Sequence, residues 1–563
     1  MESKSFIKNN YWKLFPIAHI IASFFYERSF FHRDTNLSVL FSVPIGNSVS
    51  NSVEFYITYT VSKLFSMVLI WFLWKLFFGI IQKKVPSRIV AIFGILFAVF
   101  CFIGLIMWPQ SLIGDGTSDH LVTYLYAKSF VPYYWHSIFT GCLYSAFLMV
   151  APTAFSIPVL QCLSLFVTLG YIYWIIERYT LKTGRFKWAK YLTFTALISP
   201  QFIDLYTNSW RNCFYAILAL LFYGIVFETI LLKEKTGTIR LIGCLFMAAL
   251  LSLWRSEGIL VGLTGFFVLL FYGYRYHFKK VVLWMVVFAV TFFVLGRPSK
   301  IGQEKYYGKD YLMVIFVSPL SNIFNSSDSN LTYPGAESDI QAIEAIVPIT
   351  VLRQHSYMGY LGNNYSKGFT DIDQTGATKE ESAAFIKASV RLILKNPRTF
   401  IKTQLNCWLK SFNCEKEYYI ENYHYEKEEL AGFSHEMWDA GAKELTSEAG
   451  VQKWLDNPFR IKTLDTVNNT LYPYYRFWNT TGIVNIKFWG HLLLSFFDAL
   501  VVLIEFVKFI KNKRRDLSFG LISLTLLGVL AATVLAMPTP YIAYFYTFIY
   551  CSVLLLVFYI IKE

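Results

Sequence analysis

Thirteen apolar runs punctuate the chain, near residues 11–26, 60–81, 89–108, 133–151, 155–176, 188–203, 212–232, 241–254, 258–273, 281–296, 484–507, 517–537 and 541–561. Many approach the roughly 20 residues a helix needs to cross the hydrocarbon of a bilayer, whereas barrel strands would be about half that long. A helix also satisfies its own backbone in lipid, which an open strand does not. The pattern predicts the α class: a polytopic α-helical membrane protein.

Residues 297–483 are different material, rich in Asp, Glu, Asn, Ser and Gly. Within them TKEE at 378–381 forms a capping-box signal before the periodic stretch FIKASVRLILK. Asn396-Pro397 then reads as an N-cap followed by Pro at the first position of a second helix, running through Leu409. SDIQAIEAIVPITVLRQH at 338–355 also has helical spacing, interrupted by Pro348. The expected organisation is a transmembrane part at 1–296 with an outer first loop at 109–154, a mainly helical extracytoplasmic domain at 297–483, and C-terminal membrane helices at 484–563.

Direction comes from charge. The formal net charge is +14, but the basic residues collect in short clusters between apolar runs, where the positive-inside rule puts them, so nucleic acid is excluded as a partner. The clusters are Lys83, Lys84 and Arg88; Arg178, Lys182, Arg185 and Lys187; Lys233, Lys235 and Arg240; Arg275, Lys279 and Lys280; and Lys508 to Arg515. Three apolar runs separate the first two clusters, yet an even number must cross between them. The run at 133–151, which opens with YYWHS and lies between Pro132 and Pro152, is expected to be an interfacial or re-entrant helix on the outer side. That leaves about twelve crossings, fewer if the run at 11–26 only rests on the surface, and a cytoplasmic C-terminus.

Composition agrees with a membrane protein: of 563 residues, 55% are hydrophobic and 19% aromatic, more apolar surface than one water-soluble core would hide. The eight cysteines form no CxxC or Cys/His cluster, and only Cys407 and Cys414 share a polar region where a disulfide is open to them. The opening MESKSFIKNN leads into an interrupted apolar stretch with His19 and no small-residue cleavage site, so a cleaved signal peptide is not expected.

Sorted by side, Asp115, Asp119, His120, His136, Asp204, Arg211, Arg255 and Glu257 all fall outside, at the ends of different helices. Asp115 and Asp119, in GDGTSDH at 114–120, follow the run at 89–108 directly. A carboxylate there can act as a general base, while Arg211 and Arg255 present planar forks matched to phosphate oxygens. Each residue also has a plainer reading. Asp115 between two glycines can make a turn, and Asp119 and His120 can be solvated support. His136 can anchor at the interface, the two arginines can snorkel to headgroups, and Glu257 can pair with Arg255. Asp204 stays undecided between the two kinds of role.

The order of these elements resembles the GT-C superfamily of integral-membrane glycosyltransferases. WPQSLIGDGTSDH at 108–120 is similar to the family's first outer loop, which would make Asp115 its base, and YYWHSIFTGCLY at 133–144 resembles its in-plane helix. SPQFIDLYTNSWRNCFYAI at 199–217 is similar to a family segment that opens a helix with a basic-acidic pair, though here the pair reads Arg211-Asn212 and the acid is missing. LWRSEGI at 253–259 and LILKNPRTFIKTQ at 392–404 resemble an arginine-glycine turn and an outer-domain helix pair of some bacterial members. The resemblance implies an inverting enzyme of the bacterial plasma membrane that moves a sugar from a polyprenyl-phosphate donor to a cell-envelope glycan or lipid acceptor. Asp115 and Asp119 would be its catalytic residues, Arg211 and Arg255 would hold the donor phosphate, and His120, His136, Asp204 and Glu257 would support them. No cofactor is implied, and a divalent metal is left open. Other classes compatible with the chain are a polysaccharide polymerase or ligase using lipid diphosphates, a transporter, and a non-catalytic scaffold of envelope assembly.

The charge pattern generates a topology test. Cysteines introduced at Thr180, Thr236 and Asn512 are expected to be shielded from an impermeant thiol reagent in intact cells, and one at Ser326 to label. Labelling at Thr180 would break the parity argument.

Overall fold

The computed structural model describes residues 11–30, 53–107, 138–151, 156–184, 188, 211–233, 237–306, 314–354, 378–412, 453, 457–478, 484–511, 516–537 and 542–562. Among them every regular element is a helix. The first six α-helices are α1 (Leu14–Phe30), α2 (Val53–Ile81), α3 (Ser87–Met107), α4 (Ile138–Val150), α5 (Ser156–Thr183) and α6 (Arg211–Leu232). Then come α7 (Thr238–Trp254), α8 (Gly258–Val268, continued by a π turn to Gly273) and α9 (Phe278–Tyr306). A polar group follows with α10 (Val314–Asn325), α11 (Ala336–Glu344), α12 (Ile349–Gln354), α13 (Lys379–Lys395) and α14 (Pro397–Ser411). The chain closes with α15 (Pro458–Trp478), α16 (Ile486–Ile510), α17 (Ser518–Ala536) and α18 (Tyr546–Lys562).

Seven stretches among the described residues are long and apolar enough to cross a membrane: 56–81, 87–106, 156–183, 211–232, 278–301, 518–536 and 542–562. They are apolar on every side. Phe278, Leu283, Val290, Phe293 and Val294 of α9 are all exposed, which water would not tolerate and lipid does. The protein is therefore a multi-pass helical membrane protein. Helices α4, α7 and α8 are apolar but shorter. The 13 residues of α4 rise only about 20 Å, less than the roughly 30 Å of hydrocarbon. The run at 188–203 lies, but for Trp188, outside the described residues.

Packing groups residues 1–217 with 426–467, and residues 218–425 with 468–563. In the first unit α2 packs along α4 and α3 along α5. Gly170 of α5 lets that helix approach Ile89 and Phe93 of α3, and Arg88 pairs with Glu177 at one end of the same two helices. All residues of α4 except Leu143 are buried. The YYWHS opening of the run expected to be interfacial or re-entrant lies outside the described residues, and helix α4 is enclosed by protein. Its last carbonyls, which no further turn of helix satisfies, are taken by α1. Tyr26 donates its hydroxyl to the oxygens of Met149 and, at 2.9 Å, Val150. His19 donates from Nε2 to Val150 O at 3.0 Å, while its Nδ1 accepts from Trp74 Nε1 at 3.2 Å, an arrangement that assigns the neutral Nε2–H tautomer.

In the second unit Phe227 of α6 stacks between Phe519 of α17 and Phe558 of α18, with ring centroids 5.1 and 5.0 Å apart. Arg240 of α7 pairs with Glu228 of α6. Helix α9 continues to Tyr306 past the expected boundary at residue 296, with Pro298 inside it.

Three helix ends close on a basic residue in the left-handed region: Lys83 (φ 54°), Lys233 (φ 56°) and Arg275 (φ 53°). The N–H of Lys84 reaches back to Gly79 O at 2.9 Å and that of Tyr276 to Leu270 O at 3.1 Å, the long backbone bonds of a Schellman-type ending. A cation at a helix C-terminus also complements the dipole there. These residues belong to the clusters that give the chain its expected direction.

Helices α10 to α13 share a small core that includes Leu320, Ile323, Ile343, Val347, Phe385 and Leu392. The capping box forms as its spacing requires: Thr378 Oγ1 accepts from Glu381 N at 3.2 Å, and Glu381 Oε2 from Thr378 N at 2.7 Å. The second of these bonds holds the exposed Glu381 carboxyl below its usual value. Asn396 does occupy the N-cap of α14, with Pro397 at its first position, but its side chain makes no capping bond. It turns instead to Asn330, accepting from N at 2.6 Å and donating to O at 3.1 Å. Cys407 is buried, and Cys414 lies outside the described residues.

Asp339 is the polar centre of this group. It is buried, accepts from Tyr333 Oη at 2.7 Å, and pairs with Arg391 Nη2 at 2.7 Å. Burial first, then the hydrogen bond and charge of Asp339, push the Tyr333 phenol up from its ordinary value. A raised folded value means that this contribution to stability is complete below the unfolded phenol pKa of about 10 and is lost as the pH rises through the folded value. Asp339→Ala is expected to destabilise the full chain by about 2 kcal/mol, read as a lower Tm in detergent. An unchanged Tm would remove Asp339 from the core.

Candidate functional site

The described residues bring two of the eight sequence-derived site residues together, at the break between α7 and α8. Both helices are short, 17 and 11 residues, and pack side by side as a hairpin. A Cβ built on Gly262 would lie 2.3 Å from the Ala248 carbonyl oxygen and 2.2 Å from Ser252 Oγ, so only glycine permits this approach. Close backbone contact through small residues is how helices associate where lipid removes the hydrophobic drive.

The hairpin holds charge at its tip. The backbone at Arg255 is extended (φ −140°, ψ 153°), ending α7, and a turn from Arg255 O to Gly258 N at 3.0 Å starts α8. The Arg255 side chain is 13% exposed and the Glu257 side chain 7%, and Arg255 Nε donates to Glu257 Oε1. Ser256 Oγ donates to the other Glu257 oxygen at 3.1 Å. The guanidinium carbon lies 5.3 Å from the centre of the Tyr544 ring. Glu257 and the aromatic face thus orient a guanidinium, whose fork has five donors, at the end of an apolar hairpin.

Arg211 opens α6 and is half-buried. Its charge adds to the positive end of the helix dipole, an arrangement that an anion at the same end offsets. Asp115, Asp119, His120, His136 and Asp204 lie outside the described residues. Among the described residues no group of three or more His, Cys, Asp or Glu side chains is placed to hold a metal ion.

Sequence reasoning passed over a set of polar groups inside apolar helices. Lys63 of α2 is buried, donates to Ser23 Oγ at 2.7 Å and lies 3.7 Å from the centre of the Phe24 ring. His491, Asp498 and Glu505 of α16 are buried as well. Their signal was present: SFFDALVVLIEF places two acids seven residues apart in an apolar run, where charge is costly unless used.

No family model matches the chain, and no curated protein or solved structure matches it either. The observations establish a polytopic helical membrane protein.

Gly262→Ala tests the hairpin. It is expected to cost about 1–3 kcal/mol or more, because a backbone oxygen cannot step aside as a side-chain tip can. Gly79→Ala, at a helical position with nothing within 4 Å, should leave stability unchanged or raise it by up to about 1 kcal/mol. Equal Tm values for both variants would show that the helices do not meet at Gly262.

Proposed function

We propose that the protein is an inverting membrane glycosyltransferase that moves a sugar from a polyprenyl-phosphate donor to a cell-envelope glycan or lipid acceptor, in a bacterial plasma membrane and with a GT-C-like arrangement of about twelve crossings. The observation that carries this reading is the Arg255 guanidinium, largely buried and oriented by Glu257 at an interrupted pair of apolar helices. A lipid phosphate presents its negative charge at the edge of the hydrocarbon, where such a fork matches its oxygens.

In the reaction, the acceptor hydroxyl oxygen attacks the anomeric carbon as the bond from that carbon to the phosphate oxygen breaks. The hydroxyl proton passes to the Asp115 carboxylate, with Asp119 beside it in sequence, and the charge growing on the phosphate is stabilised by Arg255 and Arg211. Inversion follows from attack on the face opposite the leaving phosphate.

A transporter is the second reading, and one finding favours it. A transporter places ionisable groups near the middle of the bilayer. Asp498 stands at the midpoint of the 25-residue α16 and is fully buried, so charge-bearing groups also lie deep within a membrane-length helix.

Asp115→Asn keeps size and hydrogen bonding but cannot take a proton. Transfer in membranes supplied with donor lipid and acceptor is expected to fall about 10²- to 10⁴-fold. Arg255→Ala is expected to weaken donor binding together with turnover, since it removes a contact made before and during transfer. Near-normal transfer by Asp115→Asn would leave Asp115 a turn residue and end this assignment of the base.

A further inference from the structure

Helix α16 carries its polarity inward. Its buried residues are Lys487, His491, Asp498, Val501 and Glu505, which at about 100° per residue form a stripe roughly 80° wide. Leu493, Phe496, Leu503, Phe506 and Ile510, around the rest of the helix, are exposed. The stripe runs parallel to α18 in constant register: His491 lies against Phe545, Asp498 against Ser552 and Glu505 against Tyr559, the partner always 54 positions later. Successive rungs are one heptad apart, about 10 Å of helical rise.

Two of these side chains have polar atoms that nothing among the described residues engages. His491 is 2% exposed, and neither ring nitrogen has a hydrogen-bond partner. Four rings surround it, those of Trp408, Phe412, Phe545 and Phe548, at centroid distances of 4.7 to 5.7 Å. Asp498 is 0% exposed; Ser552 Oγ donates to its Oδ2 at 2.6 Å, and Oδ1 has no partner. A purely structural role does not account for these groups. Phenylalanine would fill the aromatic box at 491 without burying two polar nitrogens, and a carboxylate with one neutral donor and no paired cation is strongly disfavoured at low dielectric. A bound proton removes that charge and gives Oδ1 a hydrogen to donate.

The surroundings hold other titratable groups. On α18, Cys551 adjoins Asp498, and Tyr559 donates to Glu505 at 3.2 Å. On α16 itself Lys508 Nζ is 3.8 Å from Glu505. Helix α17 has no titratable side chain in its sequence and presents Gly520 to Glu505, while α14 brings the Trp408 ring, and Phe412 at its end, to His491 and also carries the buried Cys407 and Lys410. Lys487 is buried one turn before His491 on α16.

We propose that the α16–α18 seam is a proton path through the membrane, with Asp498 as its central proton-binding site and His491 and Glu505 as the groups that exchange protons with it. In the step from Asp498 to His491, the Oδ1–H bond breaks and its electron pair stays on the carboxylate. The proton crosses about 10 Å through water molecules and ends on a ring nitrogen of His491 as imidazolium. Return of the proton restores both neutral groups, so charge and protons balance without any other reactant. The proposal is independent of the glycosyl-transfer reading.

The test uses the full chain in liposomes, with protons and deuterons as the probe. Infrared spectra are expected to show the carbonyl stretch of a protonated carboxylic acid that shifts within minutes of transfer to D₂O. Asp498→Asn should delete this band, and Ser552→Ala should move it to higher frequency without deleting it. His491→Phe, which keeps the aromatic volume, should fold and slow the deuterium shift about 100-fold. In liposomes holding a pH-sensitive dye under a potassium diffusion potential, the wild-type chain should admit protons faster than empty vesicles, and His491→Phe should not. A band that survives Asp498→Asn or ignores Ser552→Ala removes Asp498 as the site, and wild-type flux equal to that of empty vesicles removes the path.

Discussion

A polar group inside hydrocarbon has no water to turn to, and this constraint organises the protein at every level. It is felt first at helix ends, where carbonyls lose their intrahelical partners. Two long spans, α2 and α6, and the shorter α8 finish on Lys83, Lys233 and Arg275 in a left-handed turn. Other ends of the short helices are met differently. Helix α4 ends within protein and needs His19 and Tyr26 from α1 to take its last carbonyls. Helices α7 and α8 end against each other around Arg255, and their close approach at Gly262 is what brings that turn and its charge into an apolar setting.

The same constraint identifies where function is to be sought. Two places hold ionisable groups that a hydrophobic side chain would replace at lower cost. At the tip of the α7–α8 hairpin the charge is balanced: Arg255 has Glu257, and the pair is braced by Ser256 and the Tyr544 ring. Such a guanidinium suits an anion that arrives from lipid already carrying its own charge. Along α16 the groups are not balanced in this way, since Asp498 has a hydroxyl partner and His491 an aromatic box. A site of that kind suits a species as small as a proton.

The helical group from α10 to α14 shows a contrasting solution. Its core is ordinary and apolar, its deeply buried acid Asp339 is paired with Arg391 and Tyr333, and α13 starts on the capping box of Thr378. It is tied to the membrane helices by side-chain amides. Gln404 donates to the carbonyl of Leu535 at 2.7 Å, near the end of α17, and Asn485, which caps α16, donates to the carbonyl of Phe412. Each bond meets a carbonyl at a helix end, that of α17 in the first case and that of α14 in the second, where intrahelical partners run out.

Much of this was written in the order of residues. Apolar runs of span length demand helices because lipid leaves the backbone no other solution, and the capping box at Thr378 and the Pro start of α14 are local patterns that needed no distant partner. The ion pair of Arg255 with Glu257 was legible for the same reason, being two residues apart. What the residue order left undecided depends on partners far along the chain. The enclosure of α4 joins His19 and Tyr26 of α1 to carbonyl acceptors more than a hundred residues away. Asn396 looked like a cap until Asn330 claimed its side chain. Asp498 and Glu505 were visible as acids in an apolar run, but their shared face became a seam only when α18 supplied Ser552 and Tyr559 in register. Hydropathy is a property of each segment and survives reading in one dimension; which polar atoms are satisfied, and by whom, is a property of pairs, and only the tertiary structure brings those pairs together.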